Sequence, residues 1–183
     1  YPNNPPDEWF FQWQGQRVYN CDWGWYVMDP ANTSWRTYWM GEVLRQLQAN
    51  HADGVFVDSF GPPSYFGAER YNPPLPALDK AFESDWSQRI SDFLSYLQAG
   101  PATDYHFIAN LGQWVVSRDV TDYSVADGVM VEEFGSWGYG QYFDPLERDW
   151  QLQMDRILGM VRQDKVVIMQ QMIDADDVAG RLP

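Results

Sequence analysis

A ten-residue segment of this chain recurs 74 residues downstream, and that repeat constrains its fold more than any other feature. Ala52-Asp53-Gly54-Val55-Phe56-Val57-Asp58-Ser59-Phe60-Gly61 and Ala126-Asp127-Gly128-Val129-Met130-Val131-Glu132-Glu133-Phe134-Gly135 agree at seven of ten positions. Each copy reads as a short β-branched strand entered through Asp-Gly and left through Phe-Gly. At the seventh column Asp58 becomes Glu132, so the acid is kept while its length changes. Strand side chains alternate between two faces. If Asp58 points inward with Phe56 and Gly54, then Val55 and Val57 face the other way. The repeat carries the same parity to Glu132 and leaves Glu133 in the outward or rim column of Ser59.

Further apolar runs at 105–110 and 166–171 read as parallel strands beside those at 54–60 and 128–134, and a fifth candidate lies upstream at 17–20 or 25–28. Between them, helical apolar stripes span about 34–49, 78–98 and 145–162, with Asn32, Thr33 or Ser34 to cap the first, Gly100-Pro101 to stop the second and Asp144-Pro145 to open the third. Alternating strand and helix predict an α/β fold of right-handed crossovers around a parallel sheet. The expected architecture is a (β/α)8 TIM-type barrel in a single domain over 1–183. It is incomplete here, because a full barrel takes about 250 residues. A further helix is expected at 174–182, with strands missing at both ends. An open doubly wound sheet is the alternative, and it too binds ligands at the carboxyl ends of its strands.

That edge is where chemistry is expected. Asp58 and Glu132 sit two strands apart, near enough for two acid side chains to face one sugar, as glycosidases require. Glu133 remains a second candidate beside Glu132. The reading takes Asp58 as nucleophile or base and Glu132 as general acid, with the reverse assignment also open. Asn110 ends the strand between them and offers an amide to a substrate hydroxyl, or a cap to its own turn. Gln171, at the end of the last strand, is a weaker binding candidate. Long loops rich in proline and aromatic residues follow these strands and add Tyr65, Trp114 and Trp137 as substrate-binding rings. Upstream, Trp25 is a further ring. Asp29 is first a helix-start residue and second a third pocket carboxylate.

Composition narrows the partners. With a net charge of −14 and no basic stripe, the chain is a poor ligand for nucleic acid. No run of eighteen apolar residues marks a membrane span, and residues 1–7 lack the features of a signal peptide. One cysteine, Cys21, and two distant histidines, His51 and His106, leave no metal-binding pattern, and neither metal nor cofactor is expected. Aromatic residues make up 17% of the chain and ten of them are Trp, which suits a protein that stacks rings against the C–H faces of sugars.

On Met28-Asp29-Pro30-Ala31-Asn32 leading to Trp35-Arg36, on Asp53 to Asp58 and on Asp127 to Glu132, the sequence resembles glycoside-hydrolase barrels, similar to the endo-α-1,4-polygalactosaminidase-like group. The resemblance spans roughly 26–135. It implies a catalytic Asp ending one strand and a catalytic Glu ending a later one, laid on Asp58 and Glu132. It also implies a carbohydrate substrate and a secreted or periplasmic location. The competing reading is a barrel that binds carbohydrate without cleaving it. An α/β hydrolase or metal-dependent deacetylase is excluded, since neither a Gly-x-Ser-x-Gly elbow nor a histidine-rich metal cluster is present.

Overall fold

The computed structural model describes residues 4–63, 68–100, 103–136, 143–144 and 148–171. In chain order the strands are β1 (Gln12–Trp13), β2 (Gln16–Arg17), β3 (Tyr19–Asn20), β4 (Trp25–Tyr26), β5 (Gly54–Val57), β6 (Tyr71–Asn72), β7 (His106–Asn110), β8 (Gly128–Val131) and β9 (Val166–Met169), and the helices are α1 (Thr33–Asn50), α2 (Lys80–Ala99) and α3 (Arg148–Val161).

The helices form where the apolar stripes are, and their ends follow the capping groups. Asn32 caps α1 by accepting a hydrogen bond from the Trp35 amide at 2.9 Å. Asp79 accepts from Ala81 and Phe82 at 2.9 and 3.1 Å, which starts α2 two residues later than the stripe alone suggests. The expected start of the third helix falls on 145–147, outside the described residues, as does the helix expected at 174–182.

β5, β7, β8 and β9 make one parallel sheet, laid down in that order. Chain order and spatial order agree, so these four strands lack the reversal that defines a doubly wound sheet. The expected strand parity is realised. Val129 and Val131 are fully buried, Val55 and Val57 pack on the core, and that core includes Trp35 and Met40 of α1, Phe82 to Leu97 of α2, and Ile157 of α3. On the opposite face Phe56, Val166 and Ile168 are 49%, 49% and 40% exposed. The structure thus shows an α/β layer with helices on one face of a parallel sheet; the described residues do not close it into a barrel.

The repeat is structural as well as sequential. The carbonyls of Asp53 and Asp127 accept from the first residues of the next strands, His106 and Val166, at 2.8 and 3.0 Å. Ser59 and Glu133 both take left-handed backbone, at φ 55° and 53°. These turns end β5 and β8 at Val57 and Val131, earlier than the sequence pattern suggests, while the Phe60 and Phe134 amides donate to the carbonyls of Asn110 and Gln170, each at 2.9 Å.

The expected fifth parallel strand is corrected. β3 pairs antiparallel with both β4 and β6 in a separate three-stranded sheet, and β1 with β2 in a two-stranded one. The link from β3 to β4 turns through Gly24 at φ 73°, with its amide bonded to the Asn20 carbonyl, and is far too short for a parallel crossover. The preceding segment packs against α2, with Phe11 edge-on to Trp86 at 4.8 Å and Trp13 edge-on to Phe82 at 5.5 Å.

Two outcomes follow. A Cβ at Gly54 would collide with the His106 carbonyl, and one at Gly128 would lie 2.6 Å from that of Val166. Gly54→Ala and Gly128→Ala should therefore each lower stability by roughly 1–3 kcal/mol in denaturant titrations, despite alanine's smaller loss of backbone entropy. Burial raises the Tyr71 phenol from 10.0 to about 12. Its neutral form is favoured by folding, so the associated stability is fully present below pH 10 and is lost as pH rises through 12. Tyr71→Phe should flatten this part of the alkaline decline in urea midpoint against pH.

Candidate active site

At the carboxyl end of the sheet one side-chain amide joins the two repeated acids. Asn110, the last residue of β7, is 2% exposed. Its Oδ1 accepts from the Gly112 amide at 3.1 Å, which fixes the amide's orientation and turns Nδ2 toward the neighbouring strands. Nδ2 donates to Asp58 Oδ1 at 2.7 Å and to Glu132 Oε1 at 2.9 Å. Both bonds start from the same nitrogen, so the two accepting oxygens stand no more than about 5.6 Å apart. Asp58 Oδ1 also accepts from the Ser59 amide at 2.8 Å, a bond that the left-handed turn makes possible. Asp58 lies exposed and Glu132 half-buried.

The acidic doublet separates in space. Glu133 Oε2 accepts from Gln113 Nε2 at 2.7 Å, whereas Glu132 meets Asn110 and, across it, Asp58. The Gln153 side chain, fully buried on α3, ties this rim together. Its Nε2 donates to the Gln113 carbonyl at 2.7 Å, and its Oε1 accepts from the Gly135 amide at 3.1 Å. Sequence reasoning missed Gln113 and Gln153. The one available signal was a glutamine at a core-facing position of an otherwise apolar helical stripe.

A cavity of about 590 Å³ opens beside this trio, and Asp58 is the member that lines it. Trp25 stands on its wall, 47% exposed. Trp114 is corrected: it is 2% exposed, edge-on to Tyr123 at 5.9 Å, and part of the core, because the chain after Asn110 folds back under the rim. Asp29 Oδ1 is engaged by the Arg89 guanidinium and the Ala31 amide, both at 2.8 Å, and serves the start of α1 rather than the trio. Gln171 is half-buried beyond β9 and lies outside the cavity wall. Tyr65 and Trp137 lie outside the described residues. Among the described residues no three His, Cys, Asp or Glu side chains converge as metal ligands would, and no helix is long and apolar enough to cross a membrane.

The chain is 28% identical over 178 residues to the 1,4-alpha-glucan branching enzyme GlgB of Leifsonia xyli subsp. xyli, an alignment covering 80% of this chain and 22% of that protein. Among solved structures it resembles the glycoside hydrolase domain of PelA from Pseudomonas aeruginosa, with a TM-score of 0.53 and 20% identity, covering 84% of this chain and 55% of that one. The chain thus spans about half of that domain and about a fifth of the branching enzyme. The profile of Hypothetical glycosyl hydrolase family 15 matches residues 1–180, and the chain belongs to that family.

Proposed function

We propose that this protein hydrolyses glycosidic bonds of an oligo- or polysaccharide with Asp58 and Glu132 as its working pair, on the carboxyl face of a partial (β/α)8 barrel. The observation that carries this reading is the shared amide of Asn110, whose two bonds keep an oxygen of each acid within about 5.6 Å of the other. A carboxylate pair about 5–5.5 Å apart suits the retaining mechanism, whereas an inverting pair leaves about 6.5–9.5 Å for a water.

Asp58 is the nucleophile. Two donors aim its Oδ1, and it faces the cavity where the reacting sugar carbon would sit. Attack forms a glycosyl ester while Glu132 protonates the departing oxygen. Glu132 then takes a proton from water, which cleaves the ester and returns both acids to their starting states. Glu133, held aside by Gln113, shapes the rim. The one-directional strand order and the packing of the helices on one face support the barrel, and the family resemblance supports a secreted or periplasmic setting.

Release of reducing ends from a polysaccharide panel, using the full-length protein, tests the pair. Asp58→Asn and Glu132→Gln should each cut kcat by about 10²–10⁴-fold with unchanged thermal melting. Activity within a few-fold of wild type in both would remove the assignment, and sugar binding without turnover by the unaltered protein would favour the non-catalytic reading. The first-formed product should keep the substrate's anomeric configuration by proton NMR; inversion would exclude Asp58 as nucleophile.

Asn110 is a positioning residue in this scheme. Asn110→Ala should lower kcat more than it raises KM. Asn110→Asp sets a third carboxylate against the pair, and it should move the acidic limb of the kcat/KM profile to higher pH, by like-charge coupling. An unmoved profile in Asn110→Asp would show that the amide does not govern the two acids.

A further inference from the structure

The cavity that Asp58 lines has an aromatic wall that extends beyond the hydrolytic pair. Trp23 and Trp25 stand on it 48% and 47% exposed, with ring centroids 5.1 Å apart and planes inclined at 56°. Large aromatic side chains left half in solvent sacrifice apolar burial, so a pair of them beside a cavity marks a contact surface.

The surface is held from beneath. Asn20, 2% exposed, accepts from the amides of Asp22 and Trp23 through Oδ1, both at 3.0 Å, and its carbonyl accepts from Gly24 at 3.0 Å. This closes the turn that raises Trp23 and leads straight to Trp25 on β4. Tyr71, 4% exposed on β6, hydrogen-bonds the Asn20 side chain. Outside the turn, the Arg70 carbonyl accepts from the Cys21 amide at 2.8 Å, and the Arg70 guanidinium pairs with Asp22 at 3.2 Å. The two rings are therefore presented on a braced turn.

The rest of the wall narrows the ligand. Among its described residues are Trp39, Trp86, Phe93 and Tyr71, with Asp58 as the charged group and neither lysine nor arginine. In a chain of net charge −14, such a wall has nothing to neutralise a carboxylated or sulfated sugar and would repel it. Its volume falls within the range of about 300–1,000 Å³ that holds ligands of a few rings.

We infer that this cavity is a subsite for sugar units that carry no anionic group, with Trp23 and Trp25 as its stacking platform, so that such a glycan extends from the carboxylate pair past Asp58 onto the braced turn. The inference rests on the hydrolase reading for its direction, but binding alone tests it.

Titration calorimetry in the Glu132→Gln background, which prevents turnover, would compare cellohexaose, maltohexaose and N-acetylchitohexaose with hexagalacturonate. At least one uncharged hexasaccharide should bind, and hexagalacturonate should not. Trp23→Ala and Trp25→Ala should each weaken that binding roughly 3- to 10-fold, and Trp23→Phe and Trp25→Phe should largely restore it, which separates loss of a ring from loss of the turn. The subsite is overturned if no uncharged hexasaccharide binds, if hexagalacturonate binds as tightly, or if both alanine variants bind like their parent. Loss of binding in these variants from a wild-type protein that cleaves nothing would sink the hydrolase reading and leave the subsite standing. Hydrolysis with binding indifferent to both rings would do the reverse.

Discussion

An enzyme that works on one bond with two acids must hold them at a fixed separation. Here one amide does so. Asn110 can divide its two hydrogens between Asp58 and Glu132 because its oxygen is already committed to the Gly112 amide, and because burial leaves the side chain no competing partner in water. The parallel ladder sets the rest. β7 lies between β5 and β8, so its last side chain falls between the acids that follow those two strands. If the register of either neighbour shifted by one residue, the acid would turn to the helix side and the amide would lose a partner.

The portion of this arrangement legible in the sequence was the portion governed by local periodicity. The two copies of Asp-Gly-Val-x-Val-acid gave strand position, parity and the end of the sheet at which the acids emerge, and the order of the chain gave Asn110 its place between them. The doublet Glu132-Glu133 was ambiguous by pattern alone. The backbone separates the two, since the left-handed turn at Glu133 sends that side chain to Gln113 and leaves Glu132 beside Asn110.

What pattern could not reach depended on distant pairing. β3 looked like one more strand of the parallel sheet, and only its partners in β4 and β6 make it the base of an antiparallel aromatic turn. Trp114 looked like a surface ring because it follows Asn110 in a loop, yet the chain folds that ring under the rim against Tyr123. Asp29 could serve a pocket or a helix start, and the choice was made by Arg89, sixty residues away on α2.

The buried amide of Gln153 has a mechanical consequence. It grips the strand-to-loop exit after β7 with its nitrogen and the exit after β8 with its oxygen, so neither segment can shift without dragging the other. Two stretches separated by some twenty residues of chain thereby behave as one stiff lip, fastened to a helix on the far side of the sheet. Changes to the packing of α3 are consequently felt at the mouth, and the alignment of Glu132 is inherited in part from a helix outside its own strand.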